Sequence, residues 1–326
     1  MDTLTHALSG ALLARATGPA DRAMPRRMAA GFLACAAPDL DFVAGFAGPV
    51  SYLLNHRGIT HSLILLPLWA LGLSWLLAKI VRQPGGWRTL YGITAMALLA
   101  HIAGDLITSY GTMILAPFSD WRPGIGTTFI IDLWFSGIIV LGLIASALRW
   151  RSRWPAVAAL TVLVGYVGFQ YTQRQHALEL AERHAWPGAR VDVQPRPVTP
   201  FNWTLFVSDD EKHEFAHVNL IRTEPRRYMP GDGFIARVDA PYMPADQAIW
   251  VRRSRYGEVD EARGRAAWSS APMAPLRWFY ALPAFDGSDE RCVWFVDLRF
   301  MTPGREAMPF RYAACRDGGD WRLLPP

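Results

Sequence analysis

The first half of the chain contains five long apolar runs, which are separated by short polar or basic segments. A helix that crosses a bilayer needs about 20 mostly apolar residues, because each residue advances it by about 1.5 Å. The runs predict an α-helical membrane bundle of about five transmembrane helices, at residues 27–47, 61–81, 90–110, 128–148 and 154–171. A shorter apolar stretch, 4–16, predicts an amphipathic helix that enters half of the membrane or lies in its interface. We expect the last run to continue as a helix towards Gly188.

From about residue 190 the pattern changes to short runs that alternate or stay apolar between Pro, Gly and Asp residues. This pattern is typical of β-strands. The candidate strands are VDVQP, WTLFVSD, HVNLIR, FIARVDA, AIWVRRS, CVWFVDLRF and FRYAAC. The chain is therefore expected to consist of a membrane-embedded domain (1–171), a connecting helix (172–189) and a C-terminal β-rich domain (190–326). Cys292 and Cys315 lie in two candidate strands and could form a disulfide in an oxidising compartment.

The charges are distributed unevenly between the two halves. The net charge is +5, and residues 1–171 hold 12 Lys and Arg against 7 Asp, whereas residues 172–326 hold 21 basic against 21 acidic residues. Basic residues beside membrane spans are typical of cytoplasmic loops. They form three groups: Arg22, Arg26 and Arg27; Lys79, Arg82 and Arg88; Arg149, Arg151 and Arg153.

Five spans with these loops in the cytoplasm predict a multi-pass membrane protein whose C-terminal domain lies outside the cytoplasm. No Lys/Arg-rich run suggests nucleic-acid binding. The N-terminus has an Asp and a His where a cleavable signal would be basic, so the first membrane segments are expected to act as uncleaved targeting signals.

His and Asp residues interrupt the apolar runs, where a charged group costs several kcal/mol unless it faces a polar cavity or a partner. His101 and Asp105 are four residues apart, so they lie on one face of a helix. They could share a metal ion, or Asp105 could orient the imidazole. The alternative is a buried His–Asp hydrogen bond that ties two helices together.

Two further pairs are expected at the same depth on the outer side of the membrane. His56 and His61 could converge from a loop and a helix start, because Gly58 permits a turn. Asp39 and Asp41 follow Pro38, which ends or bends a helix, and both can then point to one side. Two carboxylates with imidazoles suit a hydrolytic metal site with one or two ions. The alternatives are an ordinary interfacial loop for the His pair and a break in a span for the Asp pair.

Other candidates have weaker patterns. His6 alone is more often a polar-face residue than a ligand, and Asp132 suits a helix–helix hydrogen bond as well as a site role. Cys35 is interpreted as packing. His213 and His217 have the spacing of a metal pair, but their surroundings favour a solvated surface.

Four blocks within residues 1–122 resemble a known family: MDTLTHALSGALLARA, PDLDFV, HRGITHSLILLPL and HIAGDLITSYGTMILAPFSDWR. The chain resembles the YdjM-like family of inner-membrane-associated, metal-dependent hydrolases, and the tail with PRPVTPFNWTLFV is similar to the periplasmic extension of longer members. The resemblance implies a metal site formed by His6, Asp39, Asp41, His56, His61, His101 and Asp105.

We therefore expect a metal-dependent hydrolase that opens at the outer membrane–water interface. One or two divalent ions, with Zn favoured over Mn, Mg or Fe, would activate a water by lowering its pKa towards ~7. The expected catalytic residues are Asp41, His61 and Asp105; the expected substrate-binding residues are Arg57, Ser109 and Tyr110. The depth of the site favours an amphiphilic substrate, such as a phospholipid or a lipid-linked phosphoester. The alternatives are a non-enzymatic metal-binding membrane protein, such as a transporter or an assembly factor whose C-terminal domain binds a protein partner, and a structural polar cluster without metal.

Overall fold

A computed structural model describes residues 1–229, 231–305 and 308–324. The chain divides into two compact units: residues 1–47 with 55–171, and residues 48–54 with 172–326. The first unit is helical, and the second contains two β-sheets whose strands are mostly antiparallel.

Seven α-helices and three 3-10 helices occupy residues 1–184. The helices are α1 (Thr3–Thr17), α2 (Met24–Ala36), α3 (Pro49–Asn55), α4 (Leu66–Ile80), α5 (Tyr91–Leu106), α6 (Leu133–Leu148) and α7 (Trp154–His184). The 3-10 helices are Ala37–Ala47, Ile59–His61 and Trp87–Thr89.

The predicted count of five membrane spans is not supported. Among the described residues, two helical segments are long and apolar enough to cross a membrane, Met24–Ala47 and Trp154–His184, and a bent helix pair, Pro49–His61 with Leu66–Ile80, would make a third. α5 and α6 are apolar but have only 16 residues each. Three of the apolar runs, 61–81, 90–110 and 128–148, are longer than the helices within them, because caps and turns interrupt the helical backbone inside each run.

The boundary of α6 shows this difference directly. Asp132 caps the helix by accepting hydrogen bonds from the backbone N–H groups of Trp134 and Phe135, so residues 128–132 of the predicted span lie outside it. The same carboxylate accepts hydrogen bonds from Tyr166 and Gln170 on α7. Asp132 therefore has a structural role, as a cap and as a link between α6 and α7.

α1 is largely buried in the bundle. Asp2 caps it by accepting a hydrogen bond from the N–H of Thr5, 3.0 Å away. Gly10 of α1 meets Gly31 of α2 so closely that a Cβ on Gly10 would lie 2.1 Å from the Gly31 carbonyl oxygen. This approach requires glycine, and it brings the residues at the start of α1 into the interior.

The second unit contains two sheets. Strands β1 (Arg190–Pro195), β2 (Asn202–Ser208), β3 (Lys212–Asn219) and β4 (Met243–Pro244) form one path, and β5 (Val251–Ser254) pairs with β3. The other sheet is β6 (Pro283–Ser288), β7 (Cys292–Asp297), β8 (Tyr312–Asp317) and β9 (Asp320–Leu324). Three further helices lie in this unit, α8 (Phe234–Asp239), α9 (Glu261–Ser269) and α10 (Ala274–Phe279), and it also includes most of α3 and the end of α7. The separate C-terminal β-sheet domain is confirmed.

Two details of this domain differ from the prediction. The candidate strand FIARVDA is wrong, because these residues form α8 and bury Val238 and Asp239. The solvated surface expected at His213 is also wrong: this imidazole is fully buried, accepts a hydrogen bond from Ser208 and donates one to the carbonyl oxygen of Pro283. Cys292 and Cys315 face each other across β7 and β8 and form a disulfide.

Candidate metal centre

Four side chains from three parts of the first unit meet at one point. Asp39 lies on the 3-10 helix that follows α2, and His61 ends the 3-10 helix before α4. His101 and Asp105 lie one turn apart on α5. One ligand atom from each of the four lies within 4.8 Å of all the others.

The donor atoms are Oδ1 of Asp39, Nε2 of His61, Nε2 of His101 and Oδ2 of Asp105. The two Nε2 atoms are 2.9 Å apart. Asp105 Oδ2 lies 3.1 Å from the His61 nitrogen and 3.5 Å from the His101 nitrogen. Asp39 Oδ1 lies 3.6 Å from the His101 nitrogen and 4.0 Å from the His61 nitrogen.

The outer partners of the two imidazoles turn both Nε2 lone pairs inward. Nδ1 of His101 lies 2.6 Å from the carbonyl oxygen of Cys35, which can only accept, so this nitrogen holds the proton. Nδ1 of His61 lies 2.9 Å from the hydroxyl of Thr60, whose own proton is donated to Asp41. Both rings are therefore held in the tautomer that presents Nε2 as a ligand.

These atoms fit a divalent cation. Two imidazole lone pairs 2.9 Å apart repel each other unless a positive charge lies between them, and Oδ2 of Asp105 is buried without a hydrogen bond. A tetrahedral ion with bonds of about 2.1 Å holds its ligands about 3.4 Å apart, which falls within the observed separations of 2.9–4.0 Å. Two imidazoles and two carboxylates suit Zn, Mn or Fe.

Asp41 and His56, expected as ligands, lie outside this group of four. Oδ1 of Asp41 is 2.7 Å from Nδ1 of His56, and Oδ2 is 3.5 Å from Nδ1 of His61. Oδ2 also accepts a hydrogen bond from the backbone N–H of Arg57 at 2.8 Å. Asp39 and Asp41 thus approach opposite nitrogens of one imidazole: Asp39 faces the candidate ion site, and Asp41 orients the ring from behind.

His6 extends the cluster on the other side of Asp105. Its Nε2 lies 3.0 Å from Oδ1 of Asp105, and its ring stacks on His101 with centroids 3.8 Å apart. His6, Cys35 and His101 form a second buried group of possible ligand atoms. The sequence indicates only packing for Cys35; the signal for a ligand role is its position one helical turn before Asp39.

Arg57 is buried beside Asp105, although the sequence suggested a substrate anion as its partner. Its Nη2 lies 2.7 Å from Oδ1 of Asp105, and its Nη1 donates to the hydroxyl of Thr108 at 2.8 Å. The amino group of Met1 also contacts Oδ1 of Asp105. Oδ1 is thus surrounded by positive groups, and Oδ2 remains directed at the centre.

The other two expected substrate-binding residues follow α5. Tyr110 is buried, and its ring lies 4.9 Å from the guanidinium groups of both Arg57 and Arg122. The ring also makes an edge contact with His56, with centroids 5.2 Å apart. Ser109 is half-buried in the turn after α5. Tyr110 packs around Arg57 and His56 and does not join the group of four donors.

An apolar cavity of about 260 Å³ adjoins the centre. Asp41 and Thr60 provide its polar wall, and these residues contact His61. The remaining wall is almost wholly apolar and includes Leu40, Val43, Trp69, Leu73 and Leu98.

Comparisons with known proteins agree with this part of the chain. The YdjM inner membrane protein family matches residues 1–177, which include every residue of the centre. Uncharacterized protein YfhP of Bacillus subtilis (strain 168) is 29% identical over 176 residues, which cover 52% of this chain and 52% of that protein. The chain thus spans about half the length of this curated relative. No solved structure matches this chain. The family match covers more than half of the 326 residues, so the chain belongs to the YdjM family of inner membrane proteins.

Proposed function

We propose that this chain is a membrane-embedded, metal-dependent hydrolase whose substrate is a phospholipid or a lipid-linked phosphoester. The observation that supports it best is the pair of Nε2 atoms of His61 and His101, which face each other at 2.9 Å with the carboxylates of Asp39 and Asp105 beside them. The three residues His61, His101 and Asp105 are fully buried. A divalent ion bound between these atoms would relieve the repulsion between the two imidazole lone pairs.

Asp39, His61, His101 and Asp105 would hold the ion, with zinc as the first choice. A divalent ion supplies a Lewis acid there, which can polarise a phosphoryl or acyl oxygen. With neutral imidazoles the donors have two negative charges, and Arg57 offsets part of one, so a divalent cation balances the site.

Asp41 is the residue best placed to accept a proton during hydrolysis. It lies outside the four donors, lines the apolar cavity and is hydrogen-bonded to His56. A carboxylate next to an imidazole can take a proton and share it, as general base catalysis requires. His61 and Asp105, expected as catalytic residues, would act as ligands.

The apolar cavity supports an amphiphilic substrate. It is large enough for part of a hydrocarbon chain, and its single polar wall lies at Asp41 and Thr60. A lipid could place its chain against Leu40, Val43 and Leu73 and its ester group next to Asp41. Burial of each CH₂ group would contribute about 0.8 kcal/mol to binding.

Two observations support an extracytoplasmic C-terminal domain. Arg149, Arg151 and Arg153 immediately precede α7, which favours a cytoplasmic start for that candidate span whatever the number of other spans. The Cys292–Cys315 disulfide is typical of an oxidising compartment. The second unit would then lie in the periplasm.

The test is hydrolysis by the purified protein in lipid nanodiscs. Phospholipids and isoprenyl phosphoesters would be supplied with Zn, Mn or Mg, and products would be followed by mass spectrometry. We expect activity that chelation abolishes and that Asp39→Asn and Asp41→Asn remove. His176→Ala is the matched control, because His176 is exposed on α7 and belongs to the second unit. Metal binding without any hydrolysis would favour the transporter or assembly-factor alternative.

A further inference from the structure

The second unit contains a separate cavity of about 620 Å³. It lies among the end of β5, the loop that leads into α9, and strands β6 and β7. Two positions in its wall require glycine. Gly257 has φ +92° and packs on the ring of Phe285. A Cβ on Gly264 would lie 1.8 Å from the carbonyl oxygen of Tyr256. The volume is in the range of sites for small organic ligands.

Three arginines line this cavity: Arg252, Arg253 and Arg263. Within the described part of the chain, none of their guanidinium groups forms an ion pair with a carboxylate. Nη2 of Arg263 is buried and has no hydrogen-bond acceptor. A buried donor without an acceptor is unfavourable, so a ligand that supplies an acceptor would be favoured here.

The acidic residues at the cavity leave the arginines available. Asp260 caps α9 by accepting a hydrogen bond from the backbone N–H of Arg263, and Glu258 is exposed. Ser254 is engaged with the turn, since its hydroxyl oxygen accepts from the N–H groups of Tyr256 and Gly257. The lining charges, three positive and two negative, leave the cavity with a positive excess.

We propose that this cavity binds a phosphorylated small ligand, with Arg253 and Arg263 as its principal contacts. The planar fork of a guanidinium group matches two oxygens of a phosphate. The cavity exceeds the size of a lone phosphate ion and has Phe285 in its wall, so the ligand would have an organic part of the size of glycerol or a sugar. Either a soluble phosphate ester or a phospholipid headgroup presents this chemistry.

The experiment is calorimetric titration of the full-length protein, in nanodiscs of phosphatidylcholine, with glycerol 3-phosphate and with glycerol as the neutral match. We expect saturable binding of the phosphate ester alone, weakened by salt because the contacts are ionic. Arg253→Gln with Arg263→Gln should weaken binding by about 10-fold or more, since each removes charge-assisted hydrogen bonds. Arg322→Gln, on exposed β9, should change it less than about 2-fold.

Further arms decide the source of the phosphate and guard against misfolding. If a lipid headgroup fills the cavity, nanodiscs that contain phosphatidylglycerol should compete with glycerol 3-phosphate, and the double variant should abolish this competition. If the natural ligand is a soluble ester, phosphatidylglycerol should leave the affinity for glycerol 3-phosphate unchanged.

Arg253→Gln alone alters only an exposed side chain, so a folded variant is available. Binding should persist in His61→Ala/His101→Ala protein. Equal binding of glycerol, no binding at all, or affinities unaffected by both arginine substitutions would overturn the proposal.

Discussion

Nε2 of His61 lies 2.9 Å from Nε2 of His101, and the opposite nitrogen of each ring already has a partner that fixes its proton. Two neutral imidazoles in these tautomers cannot hydrogen-bond to each other. A cation between the rings would relieve the repulsion of their lone pairs, and Asp39 and Asp105 would supply the compensating charge.

Asp39 and Asp41 should have different roles, although only one residue separates them. Asp39→Asn removes a ligand, so we expect metal affinity to fall by more than about 100-fold. Asp41→Asn leaves the four donors in place and alters the support behind His61, so it should reduce affinity by roughly 10- to 100-fold. Competition with a fluorescent chelator would measure both affinities.

Hydrolysis gives a second comparison of the same pair. With metal at saturation, Asp41→Asn should still lose kcat, because it removes the proposed proton acceptor. Equal metal affinities in the two variants would show that the assignment of inner and outer carboxylates is wrong.

Arg57 should stabilise the fold by neutralising Asp105. Arg57→Ala leaves a buried carboxylate without its guanidinium partner, and breaking such a pair costs about 3–5 kcal/mol. We expect a large loss of thermal stability in chelator, and a partial loss for Arg57→Lys, which keeps the charge but not the planar fork. Unchanged stability with a raised KM for the substrate would instead support the role in substrate binding that the sequence suggested.

His213 should make the C-terminal domain sensitive to acid. Burial lowers the pKa of this imidazole to about 4 from its ordinary 6.5. Between these two values the unfolded chain binds more protons than the folded one, so the free energy of unfolding falls as the pH falls from 6.5 towards 4. The loss is about 3 kcal/mol at the lower pH. Hydrogen exchange of β2 and β3 peptides in the full-length protein would measure it.

His213→Gln is the matched variant for this effect, because it removes the titration and keeps a polar side chain. Its stability should depend less on pH over the same window. The remaining slope would include His217, whose pKa burial lowers to about 3. An identical pH profile in both proteins would exclude His213 as the acid-sensitive group.

The Cys292–Cys315 disulfide should stabilise the second sheet. It closes a loop with a sequence separation of 23, for which the chain-entropy estimate is about 3 kcal/mol. A reductant should therefore lower the thermal stability of the wild type but leave Cys292→Ser/Cys315→Ser unaffected. In intact cells, both cysteines should resist alkylation until a reductant is added. Free thiols in cells would contradict an extracytoplasmic domain.

The sequence predicted the residues of the centre better than the helices that position them. The i,i+4 spacing of His101 and Asp105 is local, and any helix brings the two side chains to one face. The depth argument grouped these residues with Asp39 and His61 because burial of polar groups in an apolar run has few physical explanations.

The division between inner and outer positions could not be predicted in the same way. Asp39 and Asp41 point in different directions because they lie on different sides of a 3-10 helix. Arg57 reaches Asp105 from a backbone conformation with φ +57°. These orientations depend on contacts between distant segments. The count of spans failed for a related reason: hydropathy averages over a run and does not detect the cap at Asp132 that starts α6.

The metal content of the purified protein tests the central claim most directly. Elemental mass spectrometry would compare the wild type, His61→Ala/His101→Ala and the control His176→Ala, with folding matched by thermal unfolding. We predict at least about one Zn, Mn or Fe ion per chain in the wild type and in the control, and none in the double variant. Absence of bound metal from the wild type, even after incubation with each ion, would contradict the account and leave a structural polar cluster at the same place.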